Sequence, residues 1–452
     1  MATTYLSRTS GSPTNALKFT YSFWVKVASI STSDDTFLLD FNTDDNNRSN
    51  IGFNTAQQLV VYEKVSGSTV HLVVTNRVFR DPSAWYHITV KVDKTQSTAS
   101  DRTKIYVNGV EETSLSANTY PPQNTAGMIN TAVSTLIGKY SQNTYYFDGS
   151  LTHVHFVDGT AYDASTFGET DSTSGIWKPK TAPSVTYGNN GFFLKFENSG
   201  AMGTDSSGNS NTFAVGGGTL TQNVDTPTNN FSTWNVIMNN AEDGDWANGN
   251  LTIGPNGDDT YLYAPTTIGV SSGKWYSEHM ITGGNGYGML GAISEDNIVD
   301  GFRQQTGLGT LANSFGFRCR DGAIRMASSN TTYGSAPGTS SAILGMALDM
   351  TNKKVWYHIN GTYVTYGGGV GNPGAGTYGF DFSSLSGSTF LITCGDDTAS
   401  GYGNFKSNFG SGYFGTAAVS SANADANGHG IFEYAVPSGF YTLNTKNLKE
   451  FG

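Results

Sequence analysis

An alternation of apolar and polar residues with a period of two, in residues 19–27, most constrains what this chain can fold into. Its apolar positions are Phe19, Tyr21, Phe23, Val25 and Val27. A period of two sends alternate side chains to opposite faces of a strand, so the segment predicts a half-buried β-strand. Residues 85–92 and 104–107 predict two more strands. The dipeptide Asn108-Gly109 that follows favours a tight hairpin, because both residues readily adopt positive φ angles.

Short strands separated by turn residues recur along the whole chain. Further strands are predicted at residues 36–41, 58–63, 70–74, 134–137, 151–157, 191–196, 249–253 and 273–278. Residues 347–361 repeat the order of residues 90–109: a strand that ends in Asp, a polar turn, a strand that begins with Lys, then Asn-Gly. This arrangement predicts an all-β fold class with two tandem β-sandwich, jelly-roll-like domains. A small, polar stretch at residues 199–230 separates them, and we place the domains at residues 1–224 and 225–452.

Composition supports this fold class and excludes several functions. Charged residues form 13% of the 452 residues, against about 25% in ordinary soluble domains, and there are 56 glycines. The net charge is -11 and no run of Lys or Arg could follow a phosphate backbone, so we expect no nucleic-acid partner. No apolar stretch reaches the ~18 residues of a membrane span, so we expect no membrane insertion. Residues 1–8 lack the features of a secretory signal, and we expect no conventional secretion.

The two cysteines, Cys319 and Cys394, do not form a disulfide scaffold in a chain of this length. Folding in a reducing cytoplasm is the simplest interpretation, and a single bridge between them is the alternative.

Several motifs resemble known families. Residues 23–26, 85–87, 105–109 and 147–151 are similar to laminin-G-like, concanavalin-A-like lectin domains. Residues 155–159, 167–171, 175–180 and 205–209 resemble the version of this domain that structural proteins of marine tailed phages carry. Residues 271–276, 345–349 and 437–444 are similar to the SPRY fold. The resemblance implies a laminin-G-like domain followed by a SPRY-like domain in a phage virion structural protein.

The function implied by this resemblance is that of a non-enzymatic virion surface protein, made in the host cytoplasm. A tail fibre, a receptor-binding appendage or a capsid fibre would recognise a host surface glycan or protein, bind other virion proteins and form a homo-oligomer, of which a trimer is one form. A purely architectural virion protein is the alternative. A glycan-degrading enzyme is disfavoured, because glucanases of this fold carry Glu-x-Asp-x-Glu on one strand and this sequence does not. The nearest carboxylate cluster, Glu242-Asp243-Gly244-Asp245, has the wrong spacing.

Aromatic and hydrogen-bonding residues cluster just before residue 149 and predict a glycan-binding site. Sugar binding needs an exposed aromatic face beside amide or carboxylate groups. The candidates are Tyr140, Gln142, Asn143, Tyr145, Tyr146 and Asp148. The competing interpretation places Tyr146 and Phe147 in the core and makes the rest an ordinary turn.

Two acidic turns, Asp34-Asp35 and Asp44-Asp45, flank the strand predicted at residues 36–41 and are a candidate Ca²⁺ site. The alternative is a pair of solvated turns at opposite ends of that strand. A metal site at His153 and His155 is disfavoured against two histidines on a solvated strand face. The glycine-rich segment 367–374 is a candidate contact loop.

Overall fold

The structure, a computed structural model, describes residues 3–28, 34–238, 246–254, 263–284, 286–297, 307–338, 341–398 and 403–452. The chain divides into two units, Met1–Gln222 and Asn223–Gly452. The boundary predicted from the sequence, after residue 224, lies two residues further along the chain. Both units are built of β-sheets. The predicted all-β fold class of β-sandwich domains is confirmed.

The first unit contains sixteen strands within its described residues. They are β1 Tyr5–Thr9, β2 Lys18–Val27, β3 Thr36–Asp44, β4 Asn47–Phe53, β5 Gln58–Val65, β6 Ser68–Val78, β7 Tyr86–Asp93, β8 Thr103–Val107, β9 Val110–Glu111, β10 Leu115–Thr119, β11 Ser134–Ile137, β12 Gly149–Asp158, β13 Gly168–Thr170, β14 Trp177–Pro179, β15 Phe192–Leu194 and β16 Ala214–Gly216. Short 3-10 turns lie at Ala99–Asp101 and Ala164–Thr166.

These strands form two antiparallel sheets with one hydrophobic core. The eight-stranded sheet has the order β10-β6-β5-β4-β3-β11-β1-β16, and the six-stranded sheet has the order β15-β12-β2-β7-β8-β9. The core takes alternate residues from both sheets, such as Phe23 and Val90 of the six-stranded sheet and Phe41 and Val61 of the eight-stranded sheet. The strands β13 and β14 form a separate hairpin.

The sequence prediction of a half-buried strand at residues 19–27 is wrong for the second face of β2, because all nine residues are buried. The β13–β14 hairpin lies against the outer face of the six-stranded sheet. Its Trp177 donates a hydrogen bond from Nε1 to Nδ1 of His87 at 2.9 Å. The Trp177 ring has no spare room, because a Cβ added to Gly109 or Gly168 would lie 2.7 or 2.5 Å from it. The hairpin therefore covers the outer face of this sheet at β7, and the loop at Thr160 and Tyr162 covers it at Thr20 of β2.

The second unit contains nineteen strands and one α-helix within its described residues. They are β17 Trp246–Ala247, β18 Thr252–Ile253, β19 Tyr263–Pro265, β20 Lys274–Gly284, β21 Gly288–Ser294, β22 Ser314–Arg318, β23 Ala323–Met326, β24 Ser329–Thr332, β25 Ile343–Asp349, β26 Lys354–Ile359, β27 Thr362–Tyr363, β28 Thr365–Tyr366, β29 Gly369–Val370, β30 Phe380–Asp381, β31 Phe390–Asp396, β32 Gly403–Asn408, β33 Tyr413–Phe414, β34 Ala417–Ala418, β35 Tyr441–Thr442 and α1 Thr445–Phe451. Short 3-10 turns lie at Val236–Met238 and Glu295–Asn297.

Two main sheets again enclose a core. One follows the order β17-β18-β32-β20-β25-β26-β27, with β30 added to β26 and β35 to β20, and the other follows β19-β31-β21-β22-β23-β24. Cys319 and Cys394 are free, buried thiols in this core, and burial raises the pKa of Cys319 to about 12. No helix in the described residues is long and apolar enough to cross a membrane.

The two Asn-Gly turns predicted from sequence are confirmed. Asn108 and Gly109 have φ angles of 49° and 82° between β8 and β9. Asn360 and Gly361 have φ angles of 50° and 82° between β26 and β27. Both loops contain two residues with positive φ, as a type I′ hairpin turn requires.

Replacing Gly168 by Ala should destabilise the first unit by about 2 kcal/mol, because the new methyl group would overlap the packed Trp177 ring. Urea denaturation followed by tryptophan fluorescence measures the loss. Gly200→Ala is the matched control, since a Cβ there meets only Asn198 Oδ1 at 3.5 Å. Equal stability of the two variants would contradict the packing role of Trp177.

Both units should lose stability as the pH falls below about 6.5. Burial lowers the pKa of His71 and His358 to about 4, and it lowers the pKa of His87 and His279 to about 3. The unfolded chain therefore binds protons at a higher pH than the folded chain, and the stability is lost as the pH falls from 6.5 towards 4. Buried Asp40 and Glu278, with pKa values raised to about 6 and 7, partly offset this loss. We expect Tm to fall by about 5 to 10 °C between pH 7 and pH 5. A Tm that stays constant down to pH 4.5 in scanning calorimetry would contradict this predicted loss of stability.

Candidate functional site

Residues 139–147, the Tyr140 hairpin, form a short hairpin beside the eight-stranded sheet. Its backbone is closed by two hydrogen bonds, from Tyr140 N to Tyr145 O at 3.0 Å and from Phe147 N to Gly138 O at 3.0 Å. The ring of Tyr140 packs 4.8 Å from the ring of Phe37 on β3. Leu39 and Phe41 of β3 point into the core. Because side chains alternate along a strand, Asp40 and Asn42 point outward, towards this hairpin.

Arg48 of β4 fixes the hairpin to the sheet. Its Nη1 donates to the hydroxyl of Tyr140 and to Oδ1 of Asp45, the latter at 3.2 Å. The guanidinium carbon lies 5.5 Å from the ring centre of Tyr62 and 5.4 Å from that of Tyr140. A guanidinium between two aromatic faces gains cation–π attraction from both, which stabilises one orientation of Tyr140.

Asp40 of β3 lies beneath the hairpin as a buried acceptor. It accepts hydrogen bonds from Nδ2 of Asn50 and from the backbone N of Ser141, the latter at 3.0 Å. Burial raises the pKa of Asp40 to about 6, against the opposing effect of these hydrogen bonds and of Arg48. The carboxyl group thus holds the hairpin backbone in place above pH 6.

Two donors on this face have no acceptor within the described part of the chain. Asn42 accepts a hydrogen bond at Oδ1 from Gln142 at 2.8 Å, but its own Nδ2 donates to nothing. Arg48 Nε is also buried without a partner. Asn42 and Arg48 are directly paired across β3 and β4, so the two donors belong to one place on the sheet. A buried donor without an acceptor lowers the folding stability by about 1–3 kcal/mol, so a ligand oxygen that accepts from these donors would be bound favourably.

The residues predicted for glycan binding fall into three groups. Tyr140 is only 9% exposed, so it supports the site and is not the open ring that the sequence predicts. Asn143 is exposed at the hairpin tip, and Tyr145 and Tyr146 are partly exposed. Asp148, partly buried, lies beyond the hairpin, where its backbone oxygen accepts from Ala28 N at 3.1 Å.

A second aromatic surface lies at the base of the hairpin. The rings of Tyr146 and Tyr5 are 6.2 Å apart, and both are partly exposed. Lys139 Nζ lies 4.7 Å from the Tyr5 ring centre and 5.5 Å from that of Tyr146. The competing sequence interpretation holds for Phe147, which is a core residue at 8% exposure.

The acidic residues proposed for Ca²⁺ lie at opposite ends of β3, with Asp34 and Asp35 before it and Asp44 and Asp45 at its end. Nine residues of strand span about 30 Å, so the four carboxylates do not share one site. Asp44 accepts the backbone N–H groups of Asn46 and Asn47 at 2.7 and 2.9 Å, and these bonds lower its pKa. Among the residues that the structure describes, no group of three or more His, Cys, Asp or Glu side chains could hold a metal ion.

The interpretation of His153 and His155 as solvated is wrong for His155, which is 1% exposed. Its ring stacks on Phe193 at 3.9 Å, and its Nδ1 lies 2.8 Å from the Tyr187 hydroxyl. A bulge in β12 interrupts the alternation, and His153 there has a φ angle of 47°.

Sequence reasoning missed the sheet residues of the site. They are Asp40, Asn42, Arg48, Asn50 and Tyr62. The signal was present in β3, where the polar residues Asp40 and Asn42 alternate with apolar neighbours. The alternation along a strand, however, does not show which other segment of the chain covers the outward face of that strand.

Comparison with known proteins supports the fold of the first unit. The family model described as "Concanavalin A-like lectin/glucanases superfamily" matches residues 2–165. Residues 2–165 are therefore similar to concanavalin A-like, laminin-G-type domains. A search of curated proteins found no match.

Three solved structures are similar to parts of the chain. The SPRY domain of human HERC1 is 14% identical, with 34% of this chain and 84% of that chain covered and a TM-score of 0.26. The heptameric SAP-like pentraxin from Limulus polyphemus is 15% identical, with 41% and 86% covered and a TM-score of 0.28. A human SPRY domain is 14% identical, with 34% and 89% covered and a TM-score of 0.24.

Proposed function

We propose that this chain is a non-enzymatic surface protein of a tailed-phage particle and that its first unit binds a glycan at the Tyr140 hairpin. The observation that carries the binding proposal is the set of partly exposed tyrosine rings, Tyr5, Tyr145 and Tyr146, beside the exposed amides of Gln142 and Asn143. Sugars bind by stacking their apolar ring face on an aromatic ring and by hydrogen bonding of their hydroxyl groups to amides.

The support beneath these rings favours recognition by a preformed surface. Arg48 holds Tyr140 through a hydrogen bond and two ring contacts, while Asp40 holds the backbone of Ser141. A surface fixed before binding loses less conformational entropy when the ligand arrives. We therefore expect the hairpin to act as a rigid platform.

The charges at this surface favour binding over hydrolysis. A retaining glycosidase needs two carboxyl groups about 5 Å apart that both face the substrate. Asp40 is buried and bonded to Asn50 and Ser141, whereas Asp45 is exposed and paired with Arg48. We propose that neither residue acts as an acid or a nucleophile.

The location of the protein is proposed from a resemblance to phage structural proteins, which residues 155–159, 167–171, 175–180 and 205–209 carry. In this proposal the chain lies on the outside of the virion, as part of a tail fibre or a capsid fibre. It contacts other virion proteins and forms a homo-oligomer, and a trimer is one form that a repeated heterologous interface can close into.

Replacing Tyr146 by Ala should weaken glycan binding at least about tenfold, because one stacking surface is lost. Binding is measured by titration calorimetry with glycans selected on an array. Tyr378→Ala is the control, since it removes an exposed tyrosine from the second unit. A blank glycan array, together with no adsorption to host cells, would rule out receptor binding.

Antibodies against each unit should label the outside of purified phage particles in immunogold electron microscopy. Label at a distal tip would support recognition, and label at a buried collar would favour a purely architectural role. Absence of the chain from purified particles, measured by mass spectrometry, would contradict the virion proposal. Mass photometry of the purified chain tests the trimer.

A further inference from the structure

We propose that the Tyr140 hairpin face selects a neutral sugar that offers acceptor oxygens, in preference to a sugar that bears a carboxylate or a sulfate. This inference rests on the proposed glycan-binding function and deepens it. Its basis is the juxtaposition of two buried donors without acceptors, Asn42 Nδ2 and Arg48 Nε, on paired positions of β3 and β4.

The donors define what the ligand must supply. Directly opposite residues in antiparallel strands have Cβ atoms about 5 Å apart, so the side chains of Asn42 and Arg48 leave the sheet side by side on one face. Asn42 is 7% exposed, so its unused N–H group lies in a nearly dry environment. Hydroxyl, ring or acetamido oxygens that accept from both donors would remove the cost of two unsatisfied groups.

The charges around the donors disfavour an anionic ligand. Arg48 is the cation at this place, and it already pairs with Asp45 at 3.2 Å. Asp40 is a second carboxylate that interacts with Arg48. Lys64, the cross-strand neighbour of Arg48, interacts with a third carboxylate, Asp44. Arg48 therefore meets two carboxylates, Asp40 and Asp45, while Lys64 is occupied by Asp44, so the charge immediately around the two donors is net negative and disfavours a carboxylate or sulfate there. Lys139, the cation of the hairpin itself, lies beside the rings of Tyr5 and Tyr146.

Gln142 provides the route to the donors. Its side chain is exposed, and its Nε2 donates at 2.8 Å to Oδ1 of Asn42, which it covers. Two neighbouring sugar hydroxyls can replace this amide, one as the donor to Oδ1 and the other as the acceptor from Nδ2. Gln142 therefore acts as a movable cover and the sheet residues as the fixed part of the site.

The experiment compares two panels of oligosaccharides on the full chain by titration calorimetry. One contains neutral oligomers of glucose, galactose and N-acetylglucosamine, and the other contains uronic acid, sialylated and sulfated oligomers. We expect neutral ligands to bind and their affinity to change less than twofold between about 0.05 and 0.5 M NaCl, since screening acts on charge pairs.

Asn42→Asp replaces the unused donor by an acceptor of the same shape and should weaken neutral binding at least about tenfold. Asn76→Asp is the control, because it makes the same change at an exposed position of β6 in the same sheet.

Each outcome decides the inference. Binding of acidic sugars alone would overturn it and leave the glycan-binding function standing. Neutral binding that survives Asn42→Asp, in a variant whose Tm matches the parent, would also overturn it, because the donors would then hold bound water only. Binding of no glycan in either panel would defeat the proposed function and this inference with it.

Discussion

The structure depends most on buried carboxylates that accept hydrogen bonds from the backbone of loops. Asp158, at the end of β12, accepts from the N–H groups of Thr14, Asn15 and Asn190 at 2.6, 3.1 and 3.0 Å. Loops made of Gly, Ser and Asn bury little apolar surface, so the hydrophobic effect cannot hold them against the sheets. Charge-assisted hydrogen bonds to an ionised carboxylate are roughly twice as strong as neutral ones, and they supply that attachment.

The free-energy cost of burying such a carboxylate depends on whether a cation lies beside it. Glu63 is buried with Lys94 at 2.8 Å and also accepts from Met128 N, so each charge is compensated and the pKa of Glu63 is lowered despite burial. Glu278 accepts from Glu433 N and Tyr434 N without a cation among the described residues, and burial raises its pKa to about 7. Removal of either partner of a buried pair leaves the other charge uncompensated, so these loops tolerate little change at their anchors.

Local signals predicted much of this fold and only part of the site. Strand alternation and Asn-Gly pairs are properties of neighbouring residues, which is why β2, β7, β8 and the turn at Asn108 could be read from the sequence. The cover on the outer face of the six-stranded sheet could not, because Trp177 and His87 meet from positions far apart in the chain. For the same reason Tyr140 was recognised as a site residue, but its burial beside Arg48 was not.

The glycan-binding hypothesis gains support from two buried donors that lack acceptors at paired positions of β3 and β4. Elsewhere, carboxylates such as Asp158 gather several donors each, so the fold has the means to satisfy buried N–H groups. Other buried donors among the described residues, such as Trp24 Nε1 and Asn444 Nδ2, also lack acceptors. Asn42 and Arg48, however, are paired across two strands, and both donors stay unused although Asp40 lies next to them. A smaller or apolar residue at position 42 would avoid this cost. Because departures from local consistency concentrate at functional sites, the retained donors favour a bound ligand at this face over a purely structural role.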